Sequence, residues 1–266
     1  MARTALLNVM MAAATKAGRT LVRDFGEVEN LQVSVKGPAN YVSAADRRAE
    51  ETLIAELNRA RPGYGFLTEE QGEIPGTDAS HRWIIDPLDG TTNFLHGIPI
   101  FAISIALERQ GEIVAGVVYN PVMNESFTAE RGGGTYFNDR RVRVAARSRL
   151  ADCVVATGIP HLGRGPHDEY LAELREVMKD ASGVRRCGSA ALDLAWLASG
   201  RFDAFWEHEL LPWDMAAGLI LVAEAGGIVT DRHGRSDMLS KGSVVAGNPQ
   251  IHRLLMAALE KARIAA

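Results

Sequence analysis

Apolar residues recur at Leu7, Met11, Ala14, Leu21 and Phe25, a helical spacing that predicts one amphipathic helix over residues 3–25. A second helix is predicted from Ser43 to Ala60, because Ser43 and Asp46 resemble a capping box and Pro62 stands just past the end. Between 101 and 137 the period changes. FAISIAL, EIVAGVVY, ESFTAE and GTYF are short, β-rich and separated by RQG, NPVMN and RGGG, which predicts an antiparallel meander. Beyond about residue 150, strand-like runs (VVATG, RFDAFWE, GIVT, SVVAG) alternate with helical ones (HDEYLAELREVMKD, SAALDLAWLASG, WDMAAGLILVAEAGG, PQIHRLLMAALEKARIA). The pattern predicts an α/β layered architecture, mixed sheets with helices against their faces. With no repeat, low-complexity tract or Pro/Ser-rich linker, any subdomain boundary near 140–152 is expected to be tightly packed.

Composition narrows the class of partner. The 266 residues are 47% apolar, ample for a buried core, and 29 basic against 33 acidic residues give a net charge of -4. No basic excess is available for a polyanion, which argues against nucleic acid and membrane surfaces and for a small molecule. Two cysteines, Cys153 and Cys187, stand 34 positions apart, giving neither a disulfide framework nor a CxxC pair, so a reducing cytoplasm is expected. The start, MARTALLNVMMAAATKAG, has the order of a signal peptide, but Asn8 interrupts it and the helical stripe runs on beyond it. No run reaches the ~18 apolar residues a membrane span needs.

The chemistry concentrates in WIIDPLDGTTNF, Trp83 to Phe94. WII reads as a buried strand with Asp86 at its C-terminal end, where open α/β sheets gather ligands. Pro87 removes a backbone donor and fixes φ, predicting a turn that brings Asp89 back alongside Asp86. Singly, Asp-Pro and Asp-Gly are ordinary turn formers. Together with Gly90, Thr91, Thr92 and Asn93 at a predicted helix start, they put acids for a hard metal next to amides and hydroxyls for a phosphate. Glu69 and Glu70 in GYGFLTEEQG and Asp214 in PWDMAAG could complete the set, although each alone also suits a solvated loop or a first helical turn.

In that order and over most of the chain, TEEQG, IDPLDGTTNF and PWDMAAGLILVAEAGG resemble the signatures of the inositol monophosphatase family of magnesium-dependent, lithium-sensitive phosphatases. The resemblance implies an αβαβα sandwich, usually homodimeric, as one domain over 1–266 with a metal and phosphate half (about 1–145) and a substrate half (about 146–266). It implies Glu69, Asp86, Asp89 and Asp214 as metal-binding carboxylates, with the Leu88 carbonyl as a further ligand. Gly90 and Thr91 would bind phosphate through their amides, with Thr92 adjacent. Asp46 would partner Thr91 in orienting a water, so that Asp46, Thr91 and Glu69 form the catalytic group. Lys36 and Glu70 would stand outside the ligands. In GSAALDLAWLASGRFDAFWE, Gly188, Ser189 and Ala190 would lie beside a sugar or inositol ring, and Glu207 would accept hydrogen bonds from its hydroxyls. Two departures stand out: only 17 positions separate Glu69 from Asp86, a trimmed loop, and GPANYVSAAD lacks the acid and Thr common near Asn40 and Ser43, against a third metal site.

Four ionised carboxylates match two divalent ions, and oxygen donors suit Mg²⁺; the resemblance then implies a phosphomonoester hydrolase using a metal-activated water, with inositol 1-phosphate as the expected substrate. Other chemistries fit less well. IDPLDGTT has one residue too many between its Asp pair for a haloacid-dehalogenase nucleophile, Cys187 is followed by GSAALD with no Arg, and His208-Glu209 lacks the second His of a zinc motif. Leu88 likewise occupies a ligand position that an EF-hand needs. Histidinol phosphate or another sugar or nucleotide phosphate remains an alternative substrate, and a non-catalytic metal-binding scaffold or RNA-associated regulator an alternative of another class.

Overall fold

The computed structural model describes residues 3–27, 33–37, 40–161 and 165–265, with backbone alone for 33–37, 40–43 and 265. The chain runs α1 (Ala5–Phe25), β1 (Val33–Gly37), β2 (Asn40–Ser43), α2 (Ala44–Ala60), β3 (Tyr64–Thr68), β4 (Gly72–Ile74), β5 (Asp78–Asp89) and α3 (Thr91–Leu95). Four antiparallel strands follow, β6 (Ala102–Arg109), β7 (Glu112–Asn120), β8 (Glu125–Glu130) and β9 (Gly134–Phe137), then β10 (Arg140–Val142). The remainder is β11 (Val154–Thr157), α4 (His167–Asp180), β12 (Gly183–Arg185), α5 (Ala190–Ala198), β13 (Ala204–Glu207), α6 (Pro212–Glu224), β14 (Ile228–Thr230), α7 (Met238–Lys241), β15 (Val244–Gly247) and α8 (Pro249–Ala265).

Two sheets organise these elements. The larger has eight strands in the order β10-β9-β8-β7-β6-β5-β3-β4, the smaller five in the order β12-β11-β13-β15-β14. Strand residues explain the layering by their period of two. On β5, Trp83 and Ile85 join the core under α1 and α2, whereas Ile84 joins the core with α5 and α6. On β13, Phe205 faces α5 and α6 while Ala204 and Trp206 enter the core with α4 and α8. A strand covered on both faces needs an unbroken apolar run, and WII and AFW are such runs. The result is five layers, helices, sheet, helices, sheet, helices, as the sequence led one to expect.

The middle helices differ from the outer ones. α1 carries one buried stripe, and Thr4 caps it by accepting the Leu7 N–H at 3.2 Å. Every residue of α5 is buried, because two sheets enclose it, so it is apolar nearly all round. The capping box predicted at Ser43 falls on a side chain outside the described ones, and the Asp46 carboxylate instead meets Thr91. Among the described residues no helix is long and apolar enough to cross a membrane.

Candidate active site

Strand β5 does not turn at Pro87, as the sequence led one to expect; it stays in register with β6 to Asp89, with one bulge. Asp86 pairs with Ser104 and Asp89 with Ala102, so three steps on β5 span two on β6. In a regular strand residues i and i+3 point to opposite faces, and one extra residue restores them to the same side. The bulge, with Pro87 inside it, is what lets two acids three apart act together.

Neighbouring elements add the rest. β3 runs parallel to β5 with Thr68 beside Ile85, so Glu69, the next residue, stands beside Asp86. The loop holding Glu69 is pinned by Glu50 of α2, which accepts the N–H groups of Glu70 and Gln71 at 2.9 and 3.1 Å. One helical turn earlier on the same face, Asp46 reaches Thr91: Thr91 Oγ1 lies 3.1 Å from both an Asp46 oxygen and the Leu88 carbonyl. Asp214 arrives from α6, whose start is docked by Ser104 Oγ donating to the Trp213 carbonyl at 3.1 Å. Its Oδ2 accepts the Leu211 N–H at 2.7 Å.

Gly90 opens α3 with φ of 98°, and a Cβ there would stand 2.9 Å from the Ile100 carbonyl and 3.2 Å from that of Gly188. Only glycine meets both demands. Asn93 ties this turn to the second half of the chain, its Nδ2 donating to the carbonyls of Ile100 and Cys187 at 2.7 and 2.8 Å. From that half, Ser189 Oγ and the Ala191 N–H donate to Asp89 Oδ2 at 2.6 and 2.7 Å, so Asp89 caps α5. Ser189 and Ala190 are buried here beside half-buried Gly188 and Glu207, while Thr92 is exposed on the first turn of α3. Lys36 falls on β1, whose side chains lie outside the described ones.

Three residues that the sequence reading did not place at the site belong beside it. Glu50 is one. Arg186 is the second: its guanidinium packs 2.8 Å from where a Gly188 Cβ would be, and its charge acts on Asp89, Asp193 and Glu207. Asp193 is the third, a buried acid inside the otherwise apolar α5, and that isolation within AALDLAWLA was its sequence signal. The basic pair in RRCGS was the signal for Arg186. Burial pushes the Cys187 thiol up to about 12, which leaves no thiolate for a cysteine phosphatase.

Electrostatics mark where a cation belongs. Burial, then the charges of Glu69, Asp89 and Asp214 in that order, hold the Asp86 carboxyl well above the usual carboxylate range. Burial lifts Asp89 to about 6 against the hydrogen bonds from Ser189, Ala191 and Ala190, and burial followed by Asp193 and Asp89 lifts Glu207 to about 8. Among the described residues no three of Asp, Glu, His or Cys close into a metal cage, consistent with Asp89 drawn to Ser189 and Asp214 to the Leu211 amide. The donors nonetheless fit a hard divalent ion: all are oxygens, and mutual repulsion on Asp86 is the strain that such an ion relieves.

The same burial ties stability to pH. Asp89 and Glu207 ionise later in the folded than in the unfolded chain, whose values are near 3.8 and 4.5. Between those values and about 6 and 8 the folded state holds more protons, so without a cation this contribution is full in acid and is lost as pH rises through that window. The gain in Tm on adding magnesium to chelator-treated protein is therefore expected to grow by several degrees from pH 5 to pH 8. A gain independent of pH would count against it.

Comparison with known proteins gives the same direction. A model of the inositol monophosphatase family matches residues 2–263. An inositol-1-monophosphatase of Mesorhizobium japonicum is 66% identical over 261 residues, covering 98% of each chain. A Nus factor SuhB of Pseudomonas aeruginosa is 43% identical over 259 residues, 96% of each chain. The crystal structure of the extragenic suppressor protein suhB from Bartonella henselae superposes with a TM-score of 0.95 at 63% identity, covering 97% of this chain and 99% of that one.

Proposed function

Since the chain belongs to the inositol monophosphatase family and is thus a phosphomonoester hydrolase, we propose that its substrate is inositol 1-phosphate, hydrolysed with magnesium. The observation that carries this reading is the β5 bulge, which aims Asp86 and Asp89 at one place beside Glu69 and ahead of the glycine turn at Gly90. In this reading the half of the chain up to about residue 145 supplies metal and phosphate groups, and the half from about 146 supplies substrate groups.

Glu69, Asp86, Asp89, Asp214 and the Leu88 carbonyl would hold two or more magnesium ions, which would supply Lewis acidity and offset the phosphate charge. The chain's own groups do the positioning. Thr91 has one hydroxyl proton and two acceptors at 3.1 Å, the Asp46 carboxylate and the Leu88 carbonyl. With that proton given to Asp46, the Thr91 oxygen turns a lone pair outward and accepts a hydrogen from the attacking water, lining it up with phosphorus. The Gly90 and Thr91 amides hold phosphate oxygens, with Thr92 adjacent. Gly188, Ser189 and Ala190 border the ring, whose hydroxyls donate to Glu207. Glu70 would stand behind the ligands, and the family resemblance gives Lys36 the same role.

Homodimerisation and lithium inhibition accompany the reading as traits of the family, and a cytoplasmic location as what the use of only two cysteines favours. The test is phosphate release from inositol 1-phosphate, histidinol phosphate, fructose 1,6-bisphosphate and 3'-phosphoadenosine 5'-phosphate, each with magnesium and with chelator. Release is expected to be strongest on inositol 1-phosphate and to vanish in chelator. A different leading substrate removes the inositol assignment and leaves the metal chemistry. No release at all favours the scaffold or RNA-associated reading, whose support is the Nus factor name of the Pseudomonas relative.

A further inference from the structure

Gly158 directly follows β11, one step beyond Thr157, which pairs with Trp206 of the parallel strand β13. Gly158 therefore stands next to Glu207. Side chains of neighbouring residues on paired strands rise side by side from the same face, so each normally limits where the other can lie. Here one of them is missing. A Cβ built on Gly158 would lie 1.8 Å from Glu207 Oε1, 2.0 Å from its Cδ and 2.7 Å from Oε2. The Glu207 carboxyl thus occupies the volume that a side chain at 158 would fill.

The glycine is not there for its backbone. Gly158 is not among the glycines with positive φ, so alanine could adopt its conformation without strain. Nor can the main chain at 207 move aside, because β13 is paired on one edge with β11 and on the other with β15, where Glu207 opposes Val244. The next residue is anchored as well: His208 Nε2 lies 2.7 Å from Glu173 Oε2, with both side chains buried. An added methyl group can be accommodated only by rotating the Glu207 side chain.

That rotation has a functional direction. Glu207 lines a cavity of about 120 Å³ with Gly158, Ile159, Tyr170, His208 and Glu209. Its carboxyl also interacts with the charges of Asp89, Asp193 and Arg186, next to the phosphate turn. We propose that Gly158 is a positioning residue for the leaving-group end of the substrate: having no side chain, it lets the Glu207 carboxyl lie down over β11 at the wall of this cavity, and so selects polyol leaving groups. This rests on the reading that Glu207 meets substrate hydroxyls. Gly158 itself touches no reacting atom.

The experiment compares Gly158→Ala, Glu207→Ala and the double variant on inositol 1-phosphate and on p-nitrophenyl phosphate, which has no ring hydroxyls. Gly158→Ala is expected to raise KM for inositol 1-phosphate about tenfold, ~1.4 kcal/mol, and to change kcat/KM for p-nitrophenyl phosphate less than about twofold. In the Glu207→Ala background the second substitution is expected to cost nothing further, because the carboxyl it displaces is gone. Equal losses on both substrates, or additive losses in the double variant, overturn the proposal. Should Glu207→Ala leave inositol 1-phosphate turnover unchanged, the role of Glu207 falls and the proposal with it. If Glu207→Ala discriminates between the substrates and Gly158→Ala does not, the proposal alone fails. Should Gly158→Ala fold poorly, recovery of its Tm in the double variant supports the contact, and no recovery refutes it.

Discussion

Asp86→Asn is expected to lower magnesium-dependent phosphate release by about 10³-fold or more while leaving the fold intact. The loss is of the size expected when a charge that helps hold a Lewis-acid cation is removed, several kcal/mol at about tenfold per 1.36 kcal/mol. The fold tolerates the change because Asp86 Oδ1 accepts the Leu88 N–H at 2.9 Å, which an asparagine oxygen also accepts. The surroundings sharpen the expectation. Burial and the charges of Glu69, Asp89 and Asp214 already disfavour the ionised Asp86, so the neutral amide relieves repulsion. In chelator the variant is expected to melt at or above the wild-type Tm, and magnesium to raise its Tm much less. A variant that melts well below wild type in chelator would show that Asp86 serves the fold and not the cation. Retained activity would remove Asp86 from the ligand set.

A large effect on stability is expected at Gly116. α6 lies against β7 so closely that a Cβ on Gly116 would be 2.8 Å from the Ala217 carbonyl oxygen, 3.1 Å from its Cα and 2.6 Å from Ile220 Cγ2. Two of these are backbone atoms of a buried helix, so relief requires moving the helix as a body. Overpacking of this kind costs about 1–3 kcal/mol, and Gly116→Val, with three carbons to place, belongs at the upper end or beyond. At about 2–4 °C per kcal/mol for a chain of this size, thermal melting is expected to fall by roughly 10 °C. The same displacement pulls on the start of α6, where Asp214 and the Ser104–Trp213 hydrogen bond lie, so activity of the folded fraction is also expected to drop. A Tm within 2 °C of wild type would mean that Gly116 does not set the distance between helix and sheet.

One expectation from the sequence differs from the structure for a reason that lies outside the local chain. Local dihedral preference predicts a turn at Pro87, but β6, by pairing with Asp86 and Asp89, keeps the chain extended and absorbs the extra residue as a bulge. The absence of an arginine after Cys187 stands as read, but the sequence did not show that Arg186, before the cysteine, lies against Gly188. Linear order does not say which way a loop closes.

Features that depend on short-range pattern were settled by the sequence. The stripe of Leu7, Met11, Ala14 and Leu21 makes α1 amphipathic in any context, and all but Phe25 of the predicted stripe are fully or nearly buried. The spacing of FAISIAL, EIVAGVVY, ESFTAE and GTYF gives hairpins, because each turn signal joins neighbours. The acids at 69, 86, 89 and 214 were legible as chemical types in their motifs. Their meeting was decided by tertiary structure, since Glu69 reaches Asp86 through parallel pairing of β3 with β5 and Asp214 through docking of α6 on Ser104. Packing also decided that Asp89 caps a helix 100 residues away and that Glu207 lies where Gly158 has no side chain. Such contacts join residues far apart in the chain, and their energy exists only once sheets and helices have packed, so no window of sequence contains it.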